Sequence, residues 1–307
     1  MNDIVLSVCV ITYNQEQYIS QTLDSILSQE HNYNYEIVIG EDCSVDNTRK
    51  IIEKYTANYP NIIKPIYNSK NLGLIRNYFN VISNCSGKYI MECAGDDWWL
   101  EGKVKKQIDY MESHPDVGMC YGKVRDYDEN GMFLGTVGGK SCTQFEQLLS
   151  CDDIPAVTVC FRKAIFEKYM KDVSPETKSW RMEDYPAWLW MSKNSKIVFL
   201  DSFIAAYRHT SESISRTNDV DKELLFEESN YQVRKYFSEK YDVELPPFNS
   251  AEFRQMLLYK RVLNSYDKTQ AEELKKSLVL NNFKNILKYI MLSSESLIKL
   301  YSIIRKM

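Results

Sequence analysis

The chain has 307 residues, 44% hydrophobic and 26% charged, which are the proportions of an ordinary globular protein. That length holds one large α/β domain with appendages or two small domains, and a formal net charge of −4 gives no electrostatic basis for binding nucleic acid. Eight cysteines without a C-x-x-C pair, and only three histidines, argue against a zinc site and for reduced thiols in the cytoplasm. No basic region leads into an apolar core at the N-terminus, and no run of about 18 uncharged apolar residues occurs, so neither a signal peptide nor a membrane span is expected.

Residues 4–11 form a near-continuous, β-branched apolar run, the signature of a parallel strand covered on both faces, ending at Thr12-Tyr13-Asn14. A helix follows with Ile19, Leu23, Ile26 and Leu27 on one face. A second strand over 36–40 ends at Glu41-Asp42, and Asp46 is placed to cap a helix carrying Ile51, Ile52 and Tyr55. Residues 62–67 read as a third strand, 68–73 as a polar turn, 74–83 as a helix, and 89–93 as a fourth strand broken by Gly95. Such alternation predicts a doubly wound, mostly parallel sheet. No G-x-G-x-x-G or P-loop follows the first strand, so a nucleotide would be held by side chains at strand ends.

Beyond Trp98 and Trp99, a helix is expected from Lys103 to Met111, a strand over 117–121, a hairpin turn at Asn130-Gly131, and a short helix over 145–149. A strand over 156–161, a helix over 162–169, a helix opening at Glu183-Asp184, and short strands over 197–200 and 205–209 follow. From about Asp219 the chain reads as helical. Residues 275–307 carry seven bases against one acid, with Leu278, Phe283, Ile286, Ile290, Ile298 and other apolar residues able to form one face. Such a helix suits an anionic membrane surface, or packs on the domain or on a partner subunit.

Adjacent Asp96 and Asp97 at a strand's carboxyl end repel unless a cation or donors compensate, and a hard ion such as Mg²⁺ or Mn²⁺ suits one or two carboxylates plus phosphate oxygens. An exposed Asp-Asp turn is the plain alternative. Glu183 and Asp184 complement a helix dipole and also stand as the separate carboxylates that an acceptor hydroxyl would need as a base. Trp98 and Trp99 offer faces for a sugar or anchors for the loop.

Across about the first 215 positions, the fragments from Val8 to Asn14 with Tyr18, Glu41 to Asp46, Asn71-Leu72-Gly73 with Arg76 and Asn77, Gly87 to Ile90, Gly95 to Trp99 with Lys103, Glu183-Asp184, and Tyr207-Arg208-His209 resemble the family 2 glycosyltransferases. The resemblance implies a GT-A-like doubly wound, mixed and mostly parallel sheet over 1–215, with a helical C-terminal extension over 216–307. It implies that Thr12, Tyr13 and Asn14 contact the nucleotide, Asp42 the base, and Arg76 and Asn77 the diphosphate and sugar. Asp96 resembles the metal-binding Asp, with Asp97 beside it and His209 as a weaker ligand; Ala94 stands where the family usually has a further Asp. Asp184 resembles the catalytic base, with Glu183 second.

The implied reaction is inverting, metal-dependent transfer from a nucleotide-diphosphate sugar, UDP-sugar favoured, to a hydroxyl acceptor, with a lipid-linked oligosaccharide of bacterial surface polysaccharide synthesis expected. Peripheral contact with the inner face of the plasma membrane through 275–307 and a homo-oligomer are compatible with it. A sugar nucleotidyltransferase is the first alternative, disfavoured because Thr12 to Glu16 contains neither glycine nor base. A non-catalytic scaffold of a polysaccharide-assembly complex is the second.

Overall fold

The computed structural model describes residues 3–150, 153–210, 219–264, 267–278, 288–292 and 297–298. The chain divides into two compact units, one of residues 1–211 and 232–245, the other of 212–231 and 246–307.

In the first unit, β1 (Leu6–Thr12), α1 (Ile19–Leu27), β2 (Tyr35–Glu41), α2 (Thr48–Asn58), β3 (Ile63–Tyr67), α3 (Leu74–Asn84) and β4 (Tyr89–Ala94) alternate. They are followed by β5 (Trp98–Trp99), α4 (Lys103–Ser113), β6 (Val117–Asp128), β7 (Phe133–Gly138), α5 (Phe145–Ser150), β8 (Cys160–Arg162), α6 (Lys163–Val173), α7 (Tyr185–Asn194) and β9 (Lys196–His209). Among the described residues the nine strands make one sheet in the order β3-β2-β1-β4-β8-β6-β9-β5, with β7 paired to β6. β1 lies parallel to β2 and β4, and β2 to β3. β8 is antiparallel to both β4 and β6, and β6 is parallel to β9. Two reversals through β8 therefore return β6 and β9 to the direction of β4. The carboxyl ends of β1, β2, β4, β6 and β9 (Thr12, Glu41, Ala94, Asp128 and His209) thus share one edge, which is where open α/β sheets bind ligands. This is the mixed, mostly parallel sheet that the sequence predicts.

The core explains the pattern. Leu6, Val8 and Val10 are fully buried, and Ile19, Leu23 and Ile26 of α1 cover them at the i, i+4, i+7 spacing of one helix face. At the edge far from the site, Ser7 Oγ donates to Glu36 Oε1 at 2.6 Å and accepts from the Gly87 N–H at 2.7 Å, which pins β1 to its neighbours.

Some elements differ from expectation. The run over 156–161 gives a 3₁₀ turn at Ala156–Thr158 and only the three residues of β8. The carbonyl of Pro155 accepts from both the N–H and the hydroxyl of Thr158, at 2.9 and 2.7 Å, and this tightens the chain into a turn. Trp98 and Trp99 form a strand because their partners on β9 are Ala206 and Ala205, which leave room for two indoles. The two short strands expected over 197–209 are one, with the polar Asp201-Ser202 absorbed by register shifts against β6. The Asn130-Gly131 hairpin forms, but β6 continues to Asp128.

In α8 (Val220–Tyr241) the residues from Gln232 on group with the first unit. The second unit contains α9 (Ser250–Asn264) and α10 (Lys268–Ser277), which pack around Leu257, Leu258, Val262, Leu274 and Leu292. Arg254 Nη2 binds Glu273 at 2.7 Å and Arg261 Nη2 binds Glu223 at 2.6 Å. Of the amphipathic face expected over 275–307, Leu278 and Ile298 are buried in this core, whereas Ile290 and Leu297 are exposed. Leu280, Phe283, Ile286, Leu287, Leu300 and Ile303 lie outside the described residues. No helix among the described residues is long and apolar enough to cross a membrane.

Candidate active site

The loops after β1 and β2 are laced together. Asn14 sits at φ 53°, its N–H donating to Ser44 Oγ at 3.0 Å and its Oδ1 accepting from the Val45 N–H at 2.9 Å. The Gln15 N–H donates to Thr48 Oγ1 at 2.8 Å and the Glu16 N–H to Asp46 Oδ2 at 3.0 Å. Asp46 also accepts from the Thr48 N–H at 2.9 Å and so supports the start of α2 from one residue further out than expected, the N-cap itself being Asn47. Asn14 is therefore a brace between loops, while the neighbouring Tyr13 ring is exposed and open to a ligand.

Asp42 is buried behind this pair. Its Oδ1 accepts from Asn68 Nδ2 and the Leu72 N–H, both at 2.8 Å, and its Oδ2 accepts from the Gly73 N–H at 2.9 Å. Gly73 has φ +81°, a conformation that costs glycine little, and it opens α3. Three of the carboxylate's four acceptor positions are thereby used in shaping the turn over 68–73. Asn77 is likewise engaged, donating to the Gly40 carbonyl at 2.9 Å and accepting from Asn68 at 3.0 Å. Arg76 is exposed in the first turn of α3, which leaves its guanidinium accessible to an anion.

The Asp96-Asp97 turn is fixed from two sides. Thr22 Oγ1 donates to the Gly95 and Asp97 carbonyls at 2.9 and 2.7 Å. From β9, the Arg208 N–H donates to Asp97 Oδ1 at 2.9 Å and its Nε to the Asp96 carbonyl at 3.0 Å. Arg208 Nη2 reaches Gln21 Oε1 at 2.5 Å, and Nη1 the Glu129 carbonyl at 3.1 Å. The guanidinium lies 4.6 Å from the Tyr18 ring centre and 4.7 Å from that of Trp98. Burial raises the Asp96 carboxyl above its usual range, with Arg208 and Gln15 pulling the other way; Asp97 is raised further by burial and by Asp96.

Beside this turn, Thr12 Oγ1 and Gln15 Oε1 are buried without a hydrogen-bond partner among the described residues. A side chain on residue 95 would begin 2.7 Å from the first and 2.4 Å from the second, so Gly95 keeps the space between them open. Two orphaned oxygens beside Asp96 suit a bound cation or a ligand bringing donors. A divalent ion needs only one or two protein carboxylates when phosphate oxygens supply the rest, and Asp96 fits that role. Asp97 is nearly buried, with Oδ1 already accepting from Arg208, and His209 Nε2 lies 3.2 Å from Asp126 Oδ1. Among the described residues no three His, Cys, Asp or Glu side chains are grouped to hold a metal, so Asp96, Asp97 and His209 do not form a complete ligand set by themselves.

The second carboxylate pair opens α7. Asp184 is its cap, with Oδ1 accepting from the Tyr185 N–H at 2.7 Å. Burial raises both Asp184 and Glu183, and the charge of Asp184 raises Glu183 further. Sequence reasoning missed a third acid close by: Glu92 of β4, which accepts from Tyr78 Oη at 2.5 Å. Burial pushes Glu92 up to about 8, and Asp184 adds to that while Tyr78 and Lys103 oppose it. Lys103, fully buried, donates to Gln107 Oε1 at 2.6 Å and lies 5.1 Å from the Trp99 ring centre; burial lowers it to about 8. One charged residue within the apolar run Tyr89 to Cys93 was the available signal. Asp42 and Asp96 thus follow the parallel strands β2 and β4, and the charge of Asp184 is felt at Glu92 within β4.

Glu92 has a thermodynamic consequence. Its folded value of about 8, against an ordinary 4.5, means that folding takes up a proton between those limits. Stability should therefore fall as pH rises from about 5 to 8, by on the order of a few kcal/mol. Urea midpoints at pH 5.5 and 8 should show that slope in the wild type and a much flatter one in Glu92→Gln. Equal slopes would remove Glu92 as the cause.

A mostly parallel sheet with carboxylates beyond its strand ends is the architecture of the GT-A fold. The chain belongs to glycosyl transferase family 2, whose family model, described as "Glycosyl transferase family 2", matches residues 7–172, more than half its length. It is 38% identical over 127 residues to an uncharacterized protein of Mycobacterium tuberculosis, a match covering 41% of this chain and 37% of that one; the chain thus spans little more than a third of this relative. It is 26% identical over 217 residues to the Escherichia coli UDP-Glc:alpha-D-GlcNAc-diphosphoundecaprenol beta-1,3-glucosyltransferase WfgD, covering 70% of this chain and 81% of that enzyme. In fold it is similar to S. aureus TarS 1-349 in complex with UDP-GlcNAc, with TM-score 0.56, 18% identity and coverage of 97% and 91%. It is also similar to the Pyrobaculum calidifontis mannosyltransferase PcManGT in complex with GDP-Man and Mn2+, with TM-score 0.54, 12% identity and coverage of 98% and 88%.

Proposed function

We propose that this chain transfers a sugar from a nucleotide-diphosphate donor to a hydroxyl of a glycan acceptor, with inversion at the anomeric carbon. The observation that carries the reading is the pair of orphaned oxygens on Thr12 and Gln15 beside Asp96, with the Asp184-Glu183 pair on a separate element next to β4. The exposed Tyr13 would meet the base and the free guanidinium of Arg76 the diphosphate. Asp96 would hold a divalent ion, which when bound supplies charge to a leaving diphosphate. Asp184 would take the proton of the attacking hydroxyl, and its raised affinity for protons suits it to that work at neutral pH. A lipid-linked acceptor, as in the name of WfgD, is the acceptor class we favour.

The test is a thermal-shift titration with UDP and GDP, with and without Mn²⁺, followed by an assay for nucleoside diphosphate released from UDP- and GDP-sugars. A ligand at 100 times its Kd stabilises the fold by about 2.7 kcal/mol, a shift easily read. We expect one nucleotide diphosphate to raise the melting temperature and Mn²⁺ to enlarge the effect. No shift with either nucleotide would overturn the reading.

A further inference from the structure

Trp98, next to the Asp96-Asp97 turn, begins a row of aromatic rings that leads out of the site. Its ring centre is 4.6 Å from that of Tyr127 on β6, which is 5.6 Å from that of Phe133 on β7. The register accounts for the row: Tyr127 lies opposite Phe133 across the β6–β7 hairpin and opposite Arg208 on the other side, and Arg208 lies over Trp98. Among the described residues β7 pairs only with β6, and all but the last of its residues are exposed. Phe133 is 49% exposed and Met132 at the turn 70%. A contiguous apolar surface that folding does not need marks a binding face.

Resting on the glycosyl-transfer reading, we propose that Trp98, Tyr127 and Phe133 form a carbohydrate platform for the acceptor's sugars beyond the one that reacts. Three features favour a sugar as the occupant. The row is continuous with the Asp96-Asp97 turn, so a glycan whose terminal hydroxyl lies at the site would run along it. Arg208 hydrogen-bonds both the Asp96 and the Glu129 carbonyls, which fixes the hairpin turn relative to that loop. The turn beside Phe133 carries Asp128, Glu129 and Asn130: the Asp128 Oδ1 accepts from the Asn130 and Met132 N–H groups at 3.0 and 2.7 Å, and the Glu129 and Asn130 side chains are exposed. Aromatic faces flanked by carboxylate and amide groups match the apolar faces and hydroxyl edges of sugars. Two acids at the tip would repel an anionic bilayer.

The test uses the full chain on an array of bacterial surface glycans from one to six sugars. Wild type, Phe133→Ser and Phe133→Tyr are compared, and Met132→Ser is a second variant should Phe133→Ser fold poorly. The platform predicts retention that grows with glycan length, falls about tenfold in Phe133→Ser and is kept in Phe133→Tyr. No retention of any glycan, retention independent of length, or retention unchanged in both serine variants overturns it. So does binding to phosphatidylglycerol vesicles that the serine variants abolish, which would assign the hairpin to a membrane. The UDP and GDP thermal shift is read on the same samples. Its absence with length-dependent glycan retention would sink the transfer reading alone, whereas its presence without glycan retention would sink the platform alone.

Discussion

Replacing Asp184 by Asn is expected to lower kcat by about 10² to 10⁴, the usual contribution of a positioned base. The amide keeps an oxygen to accept from the Tyr185 N–H, so the cap on α7 and the melting temperature should survive. Glu183→Gln should cost less, through its coupling to Asp184 rather than through the proton itself. Because burial raises both acids, and the charge of Asp184 raises Glu183 further, the wild-type rate should fall in acid with an apparent midpoint above the ordinary carboxylate range. That midpoint belongs to the pair. A saturating-donor pH profile of released nucleoside diphosphate checks both statements, and an Asp184→Asn enzyme with wild-type turnover would remove this residue from the mechanism.

Arg208→Leu should have the largest effect on the fold. The side chain is buried, bridges Gln21, the Asp96 carbonyl and the Glu129 carbonyl, and is stacked between Tyr18 and Trp98. Its loss leaves those acceptors unpaired and takes positive charge from beside Asp96, at a cost on the order of 3–5 kcal/mol. Urea unfolding measures that cost. Arg208→Lys should recover only part of it, since an ammonium cannot reproduce the fork or lie flat between two rings. An Arg208→Leu protein as stable as wild type would show that α1, the Asp96-Asp97 turn and the hairpin hold together without it.

The parallel half of the sheet was legible because β1, β2 and β4 are covered on both faces, so each reads as a largely apolar run, with one acid inside β2 and one inside β4, that ends in polar residues. Thr12, Asp42 and Asp96 could be placed at one edge from that alone. The direction of the Asp42 carboxylate could not, because it depends on three donors 26 to 31 residues away in the turn over 68–73. Asn77 was hidden in the same way: its partner is the carbonyl of Gly40, a contact that exists only once α3 lies on β2. From sequence β9 reads as two strands because Asp201-Ser202 interrupts its pattern, and nothing local reveals that β6 absorbs the interruption. Arg208 was noted as part of a motif, but its reach to Gln21 spans 187 positions. Long-range polar contacts of this kind leave no periodicity behind.

The narrowest part of the sheet is β8, three residues long, paired to β4 on one side and β6 on the other. It is a seam between four parallel strands, β1 to β4, and the outer strands that include the hairpin. The outer strands are not independent of the inner ones, because Arg208 of β9 holds the Asp96-Asp97 turn and β9 pairs with Trp98 and Trp99, so changes there are tolerated only where these contacts are kept. Because β6 and β7 precede β8 in the chain, no single cut at β8 separates the two halves, and exchanging the hairpin means grafting residues between β4 and β8.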